Sequence, residues 1–230
     1  VKQPLFTLYE EGEIYNYPVV VKALDSCGKR GISIAYNLGD LLEAVANAKL
    51  YSSNGQVLIE QYLEGGQEYS IECIVGNDNC DIVQYTEKES SGPPHFIEVA
   101  HHQPARLSGM LKKKIDIAVY DILHVLGIRC GMAHLEIKII ENEIYFIEVG
   151  ARGGGDHIAD TLTLLSTGFD YFRAAIECSL GKYKHQKICN VAYSGIYFHC
   201  EQNKRLESLF DKATTAKWCI QNTITNKEFL

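Results

Sequence analysis

The chain has 230 residues, of which 46% are hydrophobic and 22% are charged, an ordinary globular composition for one large domain or two small lobes. Its net charge of -7 argues against a general nucleic-acid-binding protein, and no apolar run approaches the roughly 20 residues of a membrane-spanning helix. The eight cysteines form no C-x-x-C pair, which argues against zinc and indicates reduced, mostly buried thiols in a cytoplasmic protein.

Hydrophobic periodicity divides the chain into short strands and a few helices. The first 17 residues predict a lead-in with one short strand, and because the sequence starts in polar residues without Met, we expect a fragment of a longer polypeptide. Further strands are expected at residues 19–23, 32–36, 57–63, 68–75, 81–87, 96–102 and 191–200. Helices are expected at residues 41–50, 110–126, 158–167 and 171–180, with Asp40, Ser108 and Asp170 as N-caps.

A first lobe is expected at residues 1–66. The compact strand Val19 to Ala23 carries Lys22 near its end, and a turn rich in small and basic residues, Asp25 to Gly31, follows it. Exposed backbone N–H groups in such a turn are able to cover phosphates, although a basic hairpin tip is the commoner meaning. It is not a Walker A loop, because the order G-x-x-x-x-G-K-[ST] is absent.

A second lobe is expected at residues 67–185, followed by an incomplete C-terminal extension, 186–230. The double glycine at 65 and 66 marks the boundary between the lobes. In the strand that follows it, apolar side chains should point inward, and Glu68, Ser70 and Glu72 should point outward, where they are either solvated or part of a site. Residues 88–95, KESSGPPH, are expected to form a loop.

The stretch from residue 133 to residue 157 predicts a β-hairpin that runs into a glycine-rich turn. A three-residue turn would set Glu136 directly across from Glu148 on one face, whereas a two-residue turn would put them on opposite faces. The second arm should place Tyr145, Ile147 and Val149 together on its apolar face. The predicted hairpin therefore brings two like charges together if the longer turn forms.

Two opposed carboxylates are destabilising unless something neutralises them. Mg²⁺ is usually held by one or two carboxylates plus substrate phosphates, which makes Glu136 and Glu148 a candidate metal site. Arg152, four residues later and among glycines, adds a cation suited to phosphate or carboxylate. The alternative is a solvated hairpin with ordinary surface glutamates. The zinc signatures P-C-x-x-C and H-E-x-x-H are absent, which excludes the common deaminase and protease sites.

Four features stand in order along the chain. They are Lys22 with its basic turn, the segment Glu60-Gln61-Tyr62-Leu63 followed by a glycine bend and Glu68, the pair Glu136 and Glu148, and Arg152 in its glycine turn. This order resembles the ATP-grasp superfamily of carboxylate–amine ligases from about Pro18 to Gly181. The segments HLE, EVGARGGG and FIEVAHHQP resemble its carbamoyl-phosphate-synthase-like and L-amino acid ligase branch.

The resemblance implies an α+β ATP-grasp fold in which two lobes with mixed or antiparallel sheets hold ATP between them. It also implies a preceding N-terminal domain that this chain lacks. The implied cofactors are ATP and Mg²⁺ or Mn²⁺. The implied partners are small-molecule carboxylate and amine substrates, with no nucleic acid and no membrane, and a homodimer is left open.

The same resemblance implies roles for individual residues. It assigns ATP contacts to Lys22, to Ser26, Gly28, Lys29 and Gly31 of a phosphate lid, to the hinge residues Glu60, Gln61, Tyr62 and Leu63, and to Glu68. It assigns metal binding to Glu136 and Glu148, catalysis to Arg152, and a place near the substrates to Glu98, His101, His134 and Gly153. Gly150 stands where many family members carry an asparagine ligand, which weakens the case for a full second-metal shell.

Three functions remain open on the sequence. The first is an ATP-dependent ligase that joins a carboxylate to an amine, with amino-acid-like substrates, through an acyl phosphate. The second is a carbamoyl-phosphate-synthase-like domain that phosphorylates a small carboxylate. The third is a nucleotide-binding module without turnover, against which the intact Glu136, Glu148 and Arg152 argue.

Overall fold

The computed structural model describes residues 1–26, 28, 30–76, 79–93 and 96–223. Its strands are β1 (Phe6–Leu8), β2 (Val19–Ala23), β3 (Ile32–Ala35), β4 (Val57–Gln61), β5 (Gln67–Gly76), β6 (Asn79–Ser90), β7 (Glu98–Gln103), β8 (Gly131–Ile140), β9 (Glu143–Gly150) and β10 (Ser194–Tyr197). Its helices are α1 (Leu38–Tyr51), α2 (Gly109–Val125), α3 (Thr163–Thr167), α4 (Tyr171–Ser179) and α5 (Glu207–Thr214), with a π-helix at Ile158–Leu162 and a 3₁₀ helix at Glu201–Leu206. Within these ranges, no helix is both long and apolar enough to cross a bilayer.

The strands form two antiparallel sheets, which confirms the α+β class. The first has the order β1-β4-β2-β3, and the second has the order β10-β7-β6-β5-β8-β9. The chain passes from one sheet to the other through residues 62–66, between β4 and β5. Because β10 pairs with β7, part of the expected C-terminal extension belongs to the second sheet.

The first sheet packs against α1, whose buried side chains are Leu41, Ala44, Val45 and Ala48. Asn37, and not Asp40, is the N-cap, since the Asn37 side chain accepts a hydrogen bond from the Asp40 N–H at 3.0 Å. The Asp40 carboxylate in turn accepts one from the Tyr36 N–H at 3.0 Å. The expected cap is therefore wrong, because the asparagine three residues earlier caps the helix, while Asp40 accepts a hydrogen bond from the residue before that asparagine.

The second sheet has one apolar face, which packs against α2. This core contains, among others, Ile71, Cys73, Leu135 and Ile137 from the sheet and Ile115, Val119 and Leu123 from the helix. Ser108 caps α2 as expected, accepting a hydrogen bond from the Leu111 N–H at 3.2 Å. Because α2 covers only one face of the sheet, other segments of the chain are needed to cover the opposite face.

On that other face, the chain after β9 folds back and covers one end of the sheet. A small apolar cluster there joins Ile74 and Val83 of the sheet to Tyr171 and Ala174 of α4. The helix expected at 158–167 begins as the π-helix, and Asp170 caps α4 as expected. This cover explains why Ser70 and Glu72 are both 0% exposed, so the solvated alternative for these two side chains is wrong.

Two further expectations are corrected by the described residues. β6 extends through Ser90, which places Lys88 in a strand and not in the expected loop. Of the described cysteines, Cys73 and Cys178 are buried, whereas Cys130 and Cys189 are exposed, so the expectation of mostly buried thiols is wrong.

The turn between β8 and β9 contains two residues and not three. Ile140 pairs with Glu143, and the turn residues Glu141 and Asn142 have φ values of +50° and +66°. Positive φ at both central positions is the type I′ geometry that two-residue hairpins favour. The expected three-residue turn is therefore wrong.

The expected pairing of the two glutamates nevertheless forms. Ile137 pairs with Phe146, and the next pair is Glu136 with Glu148, so Ile147 is an extra residue on β9. Such a β-bulge shifts the side-chain alternation of one strand by one residue. The short turn and the bulge cancel, and Glu136 and Glu148 lie opposite each other on one face.

The bulge also changes which side chains of β9 face the core. Ile144 and Val149 both pack against the apolar core of the second sheet, although they are an even and an odd position. Tyr145 pairs with Lys138, on the polar side of β8. The expectation that Tyr145 shares a face with Val149 is therefore wrong.

Gly66 offers a test of the passage between the sheets. Gly65 and Gly66 both have positive φ, +68° and +73°, but a Cβ on Gly66 would lie 2.5 Å from the Ile139 carbonyl oxygen, whereas one on Gly65 would meet nothing within 4 Å. Both alanine substitutions should cost about 1–2 kcal/mol of backbone strain. Gly66→Ala should cost about 2 kcal/mol more, because it also pushes on the backbone of β8.

The free energy of unfolding from urea titrations of the two variants measures this difference, with Gly65→Ala as the matched control. Equal losses would show that the segment does not press on β8.

Candidate functional site

Five alternately acidic and basic side chains lie in a row on the polar face of the second sheet. Lys88 Nζ contacts Glu98 Oε1 at 3.1 Å and Glu136 Oε1 at 2.7 Å. His134 contacts the same Glu136 oxygen through Nε2 at 3.3 Å and Glu72 Oε1 through Nδ1 at 2.5 Å. We call Glu98, Lys88, Glu136, His134 and Glu72 the polar row. They come from strands β7, β6, β8 and β5, and because β5 lies between β6 and β8 in the sheet, the Lys88 side chain reaches over β5 to Glu136.

Three members of the polar row, Lys88, His134 and Glu136, stay charged at neutral pH although they are largely buried. Burial alone would lower the pKa of His134, but its hydrogen bonds to Glu136 and Glu72 raise that pKa to about 9. Burial would also lower the pKa of Lys88, but the charges of Glu136 and Glu98 hold it above its usual value. For Glu136, burial opposes ionisation, yet His134 and Lys88 hold its pKa well below the usual range. Glu136 is therefore a carboxylate at neutral pH.

Glu148 lies across from this carboxylate. It pairs with Glu136 in the β8–β9 register, so the two acidic side chains share one face of the hairpin. Glu148 is exposed, whereas Glu136 is held by Lys88 and His134. Over the described ranges, no group of three or more His, Cys, Asp or Glu side chains is arranged to hold a metal. Two carboxylates beside open space fit Mg²⁺, which completes its shell with phosphate oxygens and water.

The glycine-rich turn after β9 presses directly on the polar row. The Gly154 N–H donates to Glu72 Oε2 at 2.9 Å, and a Cβ on Gly154 would lie 2.6 Å from Glu72 Oε1 and 2.8 Å from His134 Nδ1. A Cβ on Gly153 would lie 2.8 Å from the Cβ of Ala159. The glycines are therefore required by close approach, and the buried Glu72 fixes the path of the turn.

Arg152 projects from that turn toward solvent. Its side chain is exposed, and its guanidinium donates to the Gly153 carbonyl at 2.9 Å. No carboxylate contact to Arg152 occurs among the described ion pairs. An exposed guanidinium in this turn is able to bind an anionic ligand.

His101 is buried beside the polar row. It pairs with Lys88 across β6 and β7, its ring lies edge-on to Phe198 at 5.5 Å, and its exposure is 0%. Among the described residues, neither ring nitrogen has a hydrogen-bond partner, and the Asp156 carboxylate lies 3.7 Å from Nε2. Asp156 has a left-handed backbone with φ of +51°, the kind of strain that accumulates at functional sites.

The residues expected to bind ATP lie in the first sheet and in the passage between the sheets. Lys22 Nζ contacts Glu60 Oε2 at 2.5 Å on neighbouring strands β2 and β4. Leu63 is buried, Tyr62 is half-buried and Gln61 is exposed. Glu68 lies at the start of β5, where its carboxylate is 3.6 Å from the ammonium of Lys138.

The expected phosphate lid is described in part. Ser26 is half-buried, Gly28 is exposed with φ of +64°, and Gly31 is buried with φ of +72°. Lys29 lies outside the described residues. The lid residues connect β2 to β3 and so follow Lys22 directly.

The sequence alone does not single out Glu72, Lys88 or Lys138. The sequence pattern around Glu72 also fits a solvated strand residue, and the pattern around Lys88 favours a loop. The available signal was the alternation that continues through β6, where Gln84, Thr86 and Lys88 occupy every second position and are all buried. A buried Lys needs a charged partner, and the fold supplies two, from β7 and β8.

Comparison with known proteins was made by sequence and by structure. A family model described as the ATP-grasp domain matches residues 15–160. The pyruvate carboxylase of Bacillus subtilis (strain 168) is 28% identical over 186 residues, which are 78% of this chain and 16% of that protein. The carbamoyl phosphate synthase large chain of Pseudothermotoga lettingae is 27% identical over 141 residues, which are 61% of this chain and 13% of that protein.

A solved structure with a similar fold is that of the L-amino acid ligase from Bacillus licheniformis. It is 26% identical and aligns with a TM-score of 0.73, covering 86% of this chain and 49% of that chain. This chain therefore spans less than a fifth of the two sequence relatives and about half of the ligase.

From the contacts in the polar row we expect the His134 imidazole to titrate at an unusually high pH. Because the folded pKa of His134 is raised above its ordinary value of about 6.5, its contribution to stability is fully present below that pH. That contribution is lost as the pH rises through about 9. Nuclear magnetic resonance of the imidazole should show the transition near pH 9, and Glu72→Gln should bring it below about 8 by removing one charged partner.

The matched control is Glu89→Gln, which removes a carboxylate that contacts His102 at 2.7 Å. It should leave the His134 transition in place. A His134 transition near pH 6.5 in the wild-type protein would contradict the charged row.

Proposed function

The chain belongs to the ATP-grasp domain family, as the order of its motifs predicted, and we propose that it forms the ATP- and Mg²⁺-binding part of a carboxylate–amine ligase. Enzymes of this family use ATP and Mg²⁺ and include ligases that form C–N bonds, such as carbamoyl phosphate synthase and L-amino acid ligase. The proposed reaction couples an amino-acid-like carboxylate to an amine through an acyl phosphate. Because the chain covers only part of its relatives, its own activity and substrates are proposals.

The observation that carries the proposal is the opposed pair Glu136 and Glu148. Bringing two carboxylates face to face across a hairpin is unfavourable by itself. Here one of them is held ionised by Lys88 and His134, while the other is open to solvent. When bound, Mg²⁺ would neutralise the pair and draw charge from the transferring phosphoryl group.

The first sheet and its lid would hold the nucleotide. Lys22, whose ammonium pairs with Glu60, precedes the lid, Ser26 to Gly31, by four residues in the sequence. We assign the phosphates to Lys22 and the lid, the adenine to the passage Glu60 to Leu63, and the ribose to Glu68. This support is positional, since these residues lie on neighbouring strands or at the passage between the sheets.

The second sheet would carry the chemistry on the acyl group. An amine that attacks an acyl phosphate forms a tetrahedral oxyanion, which a guanidinium stabilises. Arg152 is exposed and follows Glu148 by four residues in the chain, which supports this role. Glu98, His101, His134 and Gly153 surround the same end of the sheet, and we assign the substrates to this region.

The lobes follow from the same proposal. We place the small lobe at residues 1–66 and the large lobe at residues 67–185, with the division at the double glycine. The first sheet ends at Gln61 and the second begins at Gln67, which supports this division. We assign residues after 185 to an extension of the large lobe, since β10 joins its sheet. A homodimer remains a prediction.

A carbamoyl-phosphate-synthase-like reaction is the second candidate, supported by the likeness to that enzyme's large chain. Product analysis separates the two. With a panel of amino acids, Mg-ATP and hydroxylamine as a trap, the ligase predicts amino-acid-dependent phosphate release and an amino acyl hydroxamate. The second candidate predicts phosphate release with bicarbonate and without amino acids. Mg-ATP binding with no phosphate release under either condition, even in the full-length protein, would leave only the non-catalytic module.

Replacing Glu148 tests the metal role. Glu148→Gln should weaken Mg-nucleotide binding at least about 10-fold and abolish turnover, because a neutral amide is a poor Mg²⁺ ligand. Calorimetry with Mg-ATP and a phosphate-release assay measure the two effects. The matched control Glu141→Gln removes one charge from the turn of the same hairpin and should change neither. Wild-type turnover in Glu148→Gln would remove the metal assignment.

Replacing Arg152 tests the division of roles. Arg152→Ala should leave the affinity for Mg-ATP within about 3-fold but reduce kcat by about 100-fold or more, since the guanidinium acts on the tetrahedral state. Arg173→Ala, which removes an exposed arginine from α4, is the control. A comparable fall in ATP affinity would show that Arg152 binds the nucleotide instead.

A further inference from the structure

Lys138 connects the second sheet to the passage between the sheets. Its Nζ donates to the Leu63 carbonyl at 2.9 Å, lies 3.6 Å from Glu68 Oε1 and is 6.0 Å from the centre of the Tyr62 ring. Its side chain is only 12% exposed. One ammonium therefore touches three residues assigned above to the nucleotide, although it belongs to the strand that carries Glu136.

The distances and burial of its partners show which of them compensates the charge of Lys138. Burying an ammonium is costly unless its donors are satisfied. The Glu68 carboxylate is partly exposed and at the long end of ion-pair distances, so it offers little compensation. The Leu63 carbonyl is buried and at full hydrogen-bond distance. The main partner of Lys138 is thus the backbone of the passage.

Because Lys138 lies on β8, its contact with the Leu63 carbonyl links the passage to the strand that carries Glu136. Alternate residues of a strand point to the same face and are about 7 Å apart, so Lys138 stands beside Glu136. β8 is hydrogen-bonded on both sides, to β5 and β9, which makes it a rigid element. The same rigid strand therefore holds the metal-binding carboxylate and, two residues on, the backbone segment assigned to the base.

We propose that Lys138 is a positioning residue that fixes the spacing between the base-binding passage and the metal-binding carboxylates. This inference rests on the proposed function. A ligand that occupies two subsites gains affinity when their spacing matches the ligand, because binding at one raises the effective concentration at the other. Loosening the passage would remove this joint gain and leave each subsite intact.

The test compares a whole ligand with its halves. Competition titrations would measure the affinities of Mg-ATP, of adenosine and of Mg-tripolyphosphate for the wild-type protein and for Lys138→Met, which keeps the length of the side chain. We expect Lys138→Met to weaken Mg-ATP at least 10-fold and to change adenosine and Mg-tripolyphosphate less than 2-fold. Lys138→Arg, which restores a charged donor, should recover Mg-ATP to within 3-fold of wild type.

The control Lys113→Met removes an exposed lysine from α2 and should change none of the three affinities. An unchanged Mg-ATP affinity in Lys138→Met would overturn the inference. So would a parallel loss of adenosine, which would make Lys138 a base contact, or a failure of Lys138→Arg to rescue. If the wild-type protein bound neither Mg-ATP nor adenosine, that result would contradict the proposed function and not only the role of Lys138.

Discussion

The structure depends on one electrostatic constraint, the need to keep Glu136 charged in a largely buried place. Its carboxylate sits between Lys88 and His134, and each of these cations is held on its far side by a further carboxylate. Removing a member takes a partner away from a buried charge, and an uncompensated buried charge costs far more than the pair contributes. The alternation explains why a sheet with one apolar face tolerates a second face made of ionisable groups.

The glycine turn is a consequence of the same constraint. One oxygen of Glu72 contacts His134, and the other accepts a hydrogen bond from the Gly154 N–H. The side chain that supports the imidazolium therefore also anchors the turn that carries Arg152. The close approach leaves no room for a side chain at residue 154. The metal-binding carboxylate and the catalytic arginine assigned here are thus positioned by one buried residue that touches neither directly.

Much of the architecture followed from local pattern. The strand at residues 19–23, the helix capped by Ser108 and the facing of Glu136 and Glu148 were all predictable, because hydrophobic period and capping residues are local properties of the sequence. The hairpin shows the limit. Its turn was predicted one residue too long, and the facing was still right, because a bulge at Ile147 restored the register that the short turn had removed.

The sequence by itself determined the order of the motifs, the α+β class and the family resemblance, since these depend on residue types at spacings along the chain. Only the tertiary structure decided that Glu72 and Lys88 belong with Glu136 and His134, and that Lys138 reaches the Leu63 carbonyl. These contacts join residues 48 to 75 positions apart on segments that come together only in the folded protein. A strand pattern shows which face a side chain takes, but the cost of burying its charge is set by partners that pairing brings from elsewhere.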